Sequence, residues 1–378
     1  MTTASSSLPV ELVVDILQHV EPHDLVAVAR ANKALHALSL PYLYNRVQFS
    51  TDSTAEQVLQ LLSTLQASET VARLVREMAL DWHDQDGSQY WDEASKVTRA
   101  LANVLPATTN LASLSLPRFF HTNTVLKILE GVSCPPVRAL HLYPTSLFVA
   151  PPFSLLQSLD RLSLWAEDIS YQWQHDYDST RSLAADKGSL SWLSVTSPST
   201  LETLMCIVPM GSLRTLVIDP RPSTINVTSN EHYFVHIRHL PSLRTIYLLK
   251  WLSCQMLAEY SSIDPFPHIL TVGISLCHLQ EPFGYNPYRD VHDTMQALAT
   301  IFPHMHTLDV RCEEPYDSEG LPHPHLRPDA ALQKFQMLLL PACPRTLQRF
   351  AFLTKASFAR TAEDAPFVRV PQLAEELQ

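Results

Sequence analysis

Seventeen histidines, six cysteines and 38 carboxylates are the groups with which this 378-residue chain could do chemistry, and their spacing decides whether it does. His232, His236 and His239 follow one another at roughly helical intervals, and His304/His306 and His323/His325 form H-x-H pairs. A zinc hydrolase would show H-E-x-x-H, or a further ligand at a recognisable distance. Neither is present, so these histidines are read as solvated or interfacial groups, some of which charge near neutral pH. The cysteines Cys134, Cys206, Cys254, Cys277, Cys312 and Cys343 lie at least 23 residues apart, which leaves no C-x-x-C pair for metal or redox work. Each of the seven glycines stands alone, and the phosphate-loop, dinucleotide and nucleophile-elbow strings are all missing. No catalytic residue, metal or cofactor is expected.

Bulk composition narrows the field further. The chain is 46% apolar and 17% charged, too apolar for wholesale disorder and long enough for one large or two modest domains. A formal net charge of −11 repels phosphate backbones and anionic lipid, so neither nucleic acid nor a membrane is an expected partner. Met1–Ser7 carries no basic residue and no apolar core of a signal sequence, and no apolar run reaches membrane-spanning length. A reduced, intracellular protein, cytoplasmic or nuclear, with a flexible segment over residues 1–7 is the expectation, and the sequon at Asn226 is then a chance match.

The elements that remain are built for packing and contact. Leu8-Pro9-Val10-Glu11 opens a helix with Pro9 at its first position, and Leu12, Val13, Ile16, Leu17 and Val20 make a broad apolar face. Glu21-Pro22-His23 stops it. Asp24 is expected to cap a second helix carrying Leu25, Val28 and Ala29, Asn32 a third carrying Leu35 and Leu38, and Pro41 to start a last turn with Leu43 and Tyr44. So few short helices cannot bury all these side chains among themselves, and part of the surface is expected to belong to a partner.

From Tyr44 onward a pattern of the form L-x-x-L-x-L returns eleven times, from Tyr44-Val47-Phe49 through Leu213-Leu216-Ile218 to Leu347-Phe350-Phe352, in steps of 22 to 42 residues. Amphipathic stretches with helix punctuation lie between, among them a capping box at Ser53-Thr54-Ala55-Glu56, glycine stops at Gly131 and Gly188, and Pro198 at a helix start. Strand and helix alternating at this period predict an α/β solenoid in which each unit buries its apolar side against its neighbours. The alternative is an ordinary α/β domain. Acidic loops over Glu167–Tyr177 and Cys312–Pro328 interrupt the period.

Strand alternation sends Arg161, Ser163 and Trp165, and likewise Trp192, Ser194 and Thr196, to the face opposite the leucines, while Trp82 falls in phase with the core. Tyr247, between Ile246 and Leu248, joins the outward set. Aromatic and arginine side chains are the usual anchors of a protein interface, so Arg161, Trp165, Trp192 and Tyr247 are the candidate partner-reading residues.

The N-terminal pattern resembles an F-box: Leu8-Pro9-Val10-Glu11-Leu12, Ile16-Leu17, Asp24-Leu25, Val28 and Leu43-Tyr44 meet the family's fixed spacings. It departs where many members carry Trp in place of Tyr44, and its third helix shows only Lys33 and His36 where basic residues are usual. The combination is similar to the fungal type that runs directly into a repeat domain. This resemblance implies an F-box over residues 8–49, a leucine-rich-repeat-like solenoid over 50–360 and a tail over 361–378. It further implies that Leu8, Pro9, Leu12, Ile16, Leu17, Leu25, Val28, Leu43 and Tyr44 dock on a Skp-type adaptor, and through it on cullin and RING subunits. The repeats would then hold a protein substrate for ubiquitin transfer, with no chemistry done by this chain. A scaffold or regulatory binding protein that uses the F-box without ubiquitylation is the alternative, and a hydrolase or metalloenzyme on an α/β fold a third.

Overall fold

The structure is a computed structural model. It describes residues 8–49, 53–80, 90–116, 129, 136–142, 146–147, 153–164, 168–169, 188–219, 231–251, 264–276, 295–312, 333, 336–337, 340–352, 357–363 and 365–370. Two compact units divide the chain, residues 1–161 and 162–378.

The first unit opens with helices α1 (Val10–Leu17), α2 (Pro22–Ala31) and α3 (Lys33–Asn45). The expected starts shift slightly. Pro9 is the residue before α1, with its carbonyl accepting from Val13 N–H at 3.2 Å. Helix α2 starts at Pro22 after an extended Glu21, because proline's fixed φ suits the first helical position; Asp24 lies inside the first turn and does not cap it. Asn32 does cap α3, its Oδ1 accepting from Leu35 N–H at 2.9 Å. Pro41 starts no new turn: it sits within α3, where packing outweighs the single backbone bond that proline removes.

Strands β1 (Arg46–Gln48), β2 (Glu77–Ala79), β3 (Ser113–Leu116) and β4 (Ala139–Leu142) follow, each parallel to the next. Their register aligns Val47, Met78, Leu114 and Leu140 in one buried row. Helices α4 (Ala55–Ala67), α5 (Glu69–Ala72) and α6 (Tyr90–Val104) lie between them. The capping box before α4 is one residue later than the sequence suggests: Gln57 N–H donates to Thr54 Oγ1 at 3.3 Å, and Thr54 N–H to Gln57 Oε1 at 3.0 Å. Val58, Leu62 and Leu65 of α4 and Val97 and Leu101 of α6 recur at three and four residues and are wholly buried, as a helix facing a sheet requires. A two-residue strand β5 (Ser146–Leu147) and helix α7 (Phe153–Ser158) complete the described elements of this unit before β6 (Arg161–Leu164), which straddles the division.

After the two-residue β7 (Asp168–Ile169), the second unit runs β8 (Trp192–Val195), β9 (Thr215–Ile218), β10 (Thr245–Trp251), β11 (Thr271–Leu276), β12 (Thr307–Cys312) and β13 (Arg349–Phe352), all parallel from β8 on. Leu193, Leu216, Ile246, Val272, Leu308 and Phe350 form one ladder row, every member of it fully buried. Helices α8 (Pro198–Ile207), α9 (Glu231–Ile237) and a helical stretch over 295–301 stand between strands. Phe234, Phe266 and Phe302 continue the packing from repeat to repeat, with ring centroids 5.9 and 6.0 Å apart. Each unit is therefore a solenoid-like α/β array, and all eleven strand motifs coincide with strands.

One backbone device recurs at the start of the strands. A single carbonyl of the preceding repeat accepts two successive N–H groups: Ser191 O takes those of Arg214 and Thr215 at 2.9 and 3.0 Å, and Arg214 O those of Arg244 and Thr245 at 2.9 Å each. Arg244 O, Leu270 O and His306 O repeat it further on, and Arg76 O, Ala112 O and Arg138 O do so in the first unit. The parallel run ends where the chain reverses into β14 (Ser357–Ala359) and β15 (Val368–Val370), both antiparallel. Phe350 stacks on Phe358 at 5.1 Å and meets Phe367 edge-on at 4.8 Å, with Arg360 over the Phe367 ring at 5.0 Å. Residues 368–370, placed by the sequence in a tail, are thus part of the sheet.

Candidate functional site

Leu8, two residues ahead of α1, and Leu12 and Ile16, four residues apart on one face of that helix, lie along one groove. They are 60%, 48% and 54% exposed, and Val10 beside them is 57% exposed. With Asp15, His19 and Val20 they line an open groove of about 520 Å³. His19 Nδ1 lies 2.8 Å from the Asp15 carbonyl oxygen, which fixes the imidazole at the rim. Large apolar side chains left in water side by side, with only Asp15 and His19 beside them, are the mark of a contact surface.

The other expected docking residues divide in two. Pro9 is exposed, and Val28, Leu43 and Tyr44 are half-buried. Leu17 and Leu25, at 2% and 3% exposure, belong to the interior of the helical unit with Ala29, so they hold the exposed stripe in place and do not form part of it. The helical period explains the split, since residue 17 follows 16 by about 100° and turns inward. Val10 and Val26, the latter 40% exposed, were not among the expected docking residues, although each leaves a large apolar side chain in water.

Of the sheet residues expected to read a partner, Trp192 and Tyr247 lie in different rows of the second unit. Arg161 is half-buried in the first unit beside His141 of β4, whose imidazole is brought down to about 4 by burial first and by the Arg161 charge second. Trp165 lies outside the described residues, as do Trp82 and most of the two acidic loops. Trp192 is half-buried in the second unit, and the register aligns it with Thr215 and Thr245, not with Tyr247. Tyr247 is only 6% exposed, and Ser163, Ser194 and Thr196, also expected to face out, are 3%, 3% and 2% exposed. Alternation names a side of the sheet, and burial on that side is a separate matter that alternation does not address. In β3 and β4 half-exposed and buried residues alternate, whereas in β8 and β9 a half-exposed first residue is followed by three buried ones.

Among the described residues no group of three His, Cys, Asp or Glu is placed to hold a metal ion. His232 and His236 both lie on α9 and His239 just beyond it; His323 and His325 are outside the described residues. No helix among the described residues is long and apolar enough to cross a membrane.

A helical unit with an exposed apolar stripe thus precedes repeated strand-helix units. Residues 5–50 match the family model described as F-box-like. No curated protein matches the chain. Among solved structures, a protein of Bacteroides fragilis is 11% identical over 60% of this chain and 73% of its own, with a TM-score of 0.35. The complex of Rad7 and Elc1 in yeast is 14% identical over 84% of this chain and 90% of its own, with a TM-score of 0.31.

Proposed function

We propose that this protein is the substrate-recognition subunit of an SCF-type ubiquitin ligase, with residues 8–49 docking on a Skp-type adaptor and the repeats of 50–360 binding a protein substrate. The observation that carries the reading is the exposed row Leu8, Leu12 and Ile16, within the segment that matches the F-box-like family. A truncated interface anchor commonly costs about 2 kcal/mol, so a few such residues supply a useful share of a micromolar affinity. The chain contributes proximity: a substrate lysine held near the charged conjugating enzyme reacts at a raised effective concentration. Catalysis belongs to the other subunits. The mixed burial of the expected contacts fits this division, since Leu17 and Leu25 build the helical unit and the exposed residues meet the adaptor.

The test is co-purification of the full-length chain with a Skp-type adaptor and cullin, for wild type and for Leu8→Ala with Pro9→Ala. Binding weakened by more than about tenfold in the folded double variant supports the reading. Unchanged adaptor capture removes it, and adaptor without cullin favours a binding protein that uses no ubiquitylation.

A further inference from the structure

The first residues of β8 to β13 form one cross-strand row: Trp192, Thr215, Thr245, Thr271, Thr307 and Arg349, in continuous register. All six are half-exposed. The next row on the same face, Ser194, Val217, Tyr247, Gly273, Asp309 and Ala351, is closed: five of its members are 3 to 6% exposed, and Gly273 lies beneath the Tyr247 ring. The accessible part of this face is therefore the strip along the strand starts.

Its charge is one-sided. The residue immediately before each of the six strands is Ser191, Arg214, Arg244, Leu270, His306 and Gln348. Across these twelve positions the permanently charged groups are Arg214, Arg244 and Arg349, all cationic, on a chain whose formal net charge is −11. Arg214 and Arg244 are exposed, and Arg244 is held in place by its own backbone, Nη1 donating to Pro241 O at 2.9 Å and to Leu243 O at 2.8 Å. The bonds are local and leave its charge in water. Charges interact over roughly 8 Å at physiological salt, so a short acidic segment feels this strip and Asp309 in the row behind it, which is 5% exposed, more than the carboxylates elsewhere. A long polyanion feels the whole acidic molecule and is repelled.

We propose that this strip binds an extended acidic segment of a partner protein, laid across the strands with its carboxylates toward Arg214 and Arg244. This deepens the substrate-receptor reading and rests on it for the identity of the partner as a substrate. Five strand spacings of about 4.8 Å make a strip of roughly 24 Å, the reach of about seven extended residues. The threonines present β-branched, uncharged side chains at each strand, which suit contact with alternate side chains of such a segment. Trp192 closes one end with apolar surface.

The test uses the full-length chain and two fluorescein-labelled peptides read by fluorescence anisotropy. One alternates threonine and glutamate after a single phenylalanine; the other has lysine at each glutamate. The expected result is that the acidic peptide binds about tenfold or more tightly than the basic one, and that added salt weakens it. Arg214→Glu with Arg244→Glu loses that preference, and Arg214→Gln with Arg244→Gln, a milder change that guards against misfolding of the first, falls between. Equal affinity for the two peptides overturns the proposal, as does unchanged binding by the variants. Tighter binding of a labelled thymidine oligonucleotide than of the acidic peptide also overturns it, in favour of a nucleic-acid site. Adaptor capture by the same variants is scored separately: it decides the ligase reading alone, and the peptides decide the strip alone.

Discussion

The ring of Tyr247 on β10 lies directly over Gly273 on β11, so close that a Cβ at position 273 would overlap Cδ1 and Cε1 of the ring. The ring is buried, with no open solvent to swing into, and the glycine is what gives it room. Gly273→Ala is expected to cost about 1–3 kcal/mol through overpacking, and Tyr247→Ala about 3 kcal/mol through the cavity it leaves. The double variant should lose less than the sum, by about 1 kcal/mol, because each change relieves the other. Urea unfolding of the three variants measures the coupling, and strict additivity would refute the contact.

Docking and folding are expected to separate on α1. Ile16→Asp, at a position 54% exposed, should change stability by less than about 0.5 kcal/mol and reduce adaptor capture by more than about tenfold. Leu17→Ala, one residue on and 2% exposed, should instead destabilise the helical unit by about 2–5 kcal/mol. Thermal unfolding paired with pull-down separates the two effects; the same outcome for both would mean that the face has been assigned wrongly.

The repeat array makes a matching pair in the second unit. Leu216 and Leu308 are fully buried, while their neighbours Thr215 and Thr307 are half-exposed. Leu216→Asp or Leu308→Asp puts an unpaired carboxylate inside the stack and should unfold at least the adjacent repeats. Thr215→Asp or Thr307→Asp should leave the circular dichroism melt within a few degrees of wild type, a shift of about 1 kcal/mol or less.

Acid should weaken the first unit through His141. Its folded pKa is lowered to about 4, chiefly by burial and then by Arg161, so the unfolded chain takes up the proton first. Stability from this group is complete above the unfolded value near 6.5, falls as the pH drops through that value, and levels off below about 4. The slope approaches one proton, about 1.4 kcal/mol per pH unit. His141→Gln should flatten the dependence of urea midpoint on pH across that window. An unchanged slope would exclude His141 as its source.

How much of this was legible beforehand depends on the kind of information each feature carries. The eleven strands were, because burial of two alternating aliphatic residues leaves a fixed spacing in the chain. Leu8, Leu12 and Ile16 were legible as an apolar face, but their separation from Leu17 and Leu25 was not, since an apolar residue looks the same whether its partner is its own core or another protein. The shift of the capping box from Ser53 to Thr54 turns on which hydroxyl meets which N–H, a matter of a single residue. Tyr247 shows the firmest limit. Alternation tells which side of a sheet a side chain leaves from, whereas its exposure depends on what packs around it, here including Gly273 of the next strand. The row of Thr215, Thr245, Thr271 and Thr307 was written in the repeated Leu-Arg-Thr of 213–215 and 243–245, but it takes on meaning only when register lines it up.

The doubly accepting carbonyl at the strand starts bears on how such a chain tolerates changes of length. Each new strand enters its ladder through two bonds to one oxygen of its predecessor, and the chain that leaves the strand is free of that constraint. An insertion after a strand lengthens an excursion that returns to the same point of entry, at an entropic cost that grows only slowly with length. An insertion or deletion within Leu213-Arg214-Thr215 displaces both N–H groups at once and puts β9 out of step with the strands beside it. Lineages descended from such a protein would therefore be expected to vary freely in the segments leaving the strands, and hardly at all in the three residues that lead into them.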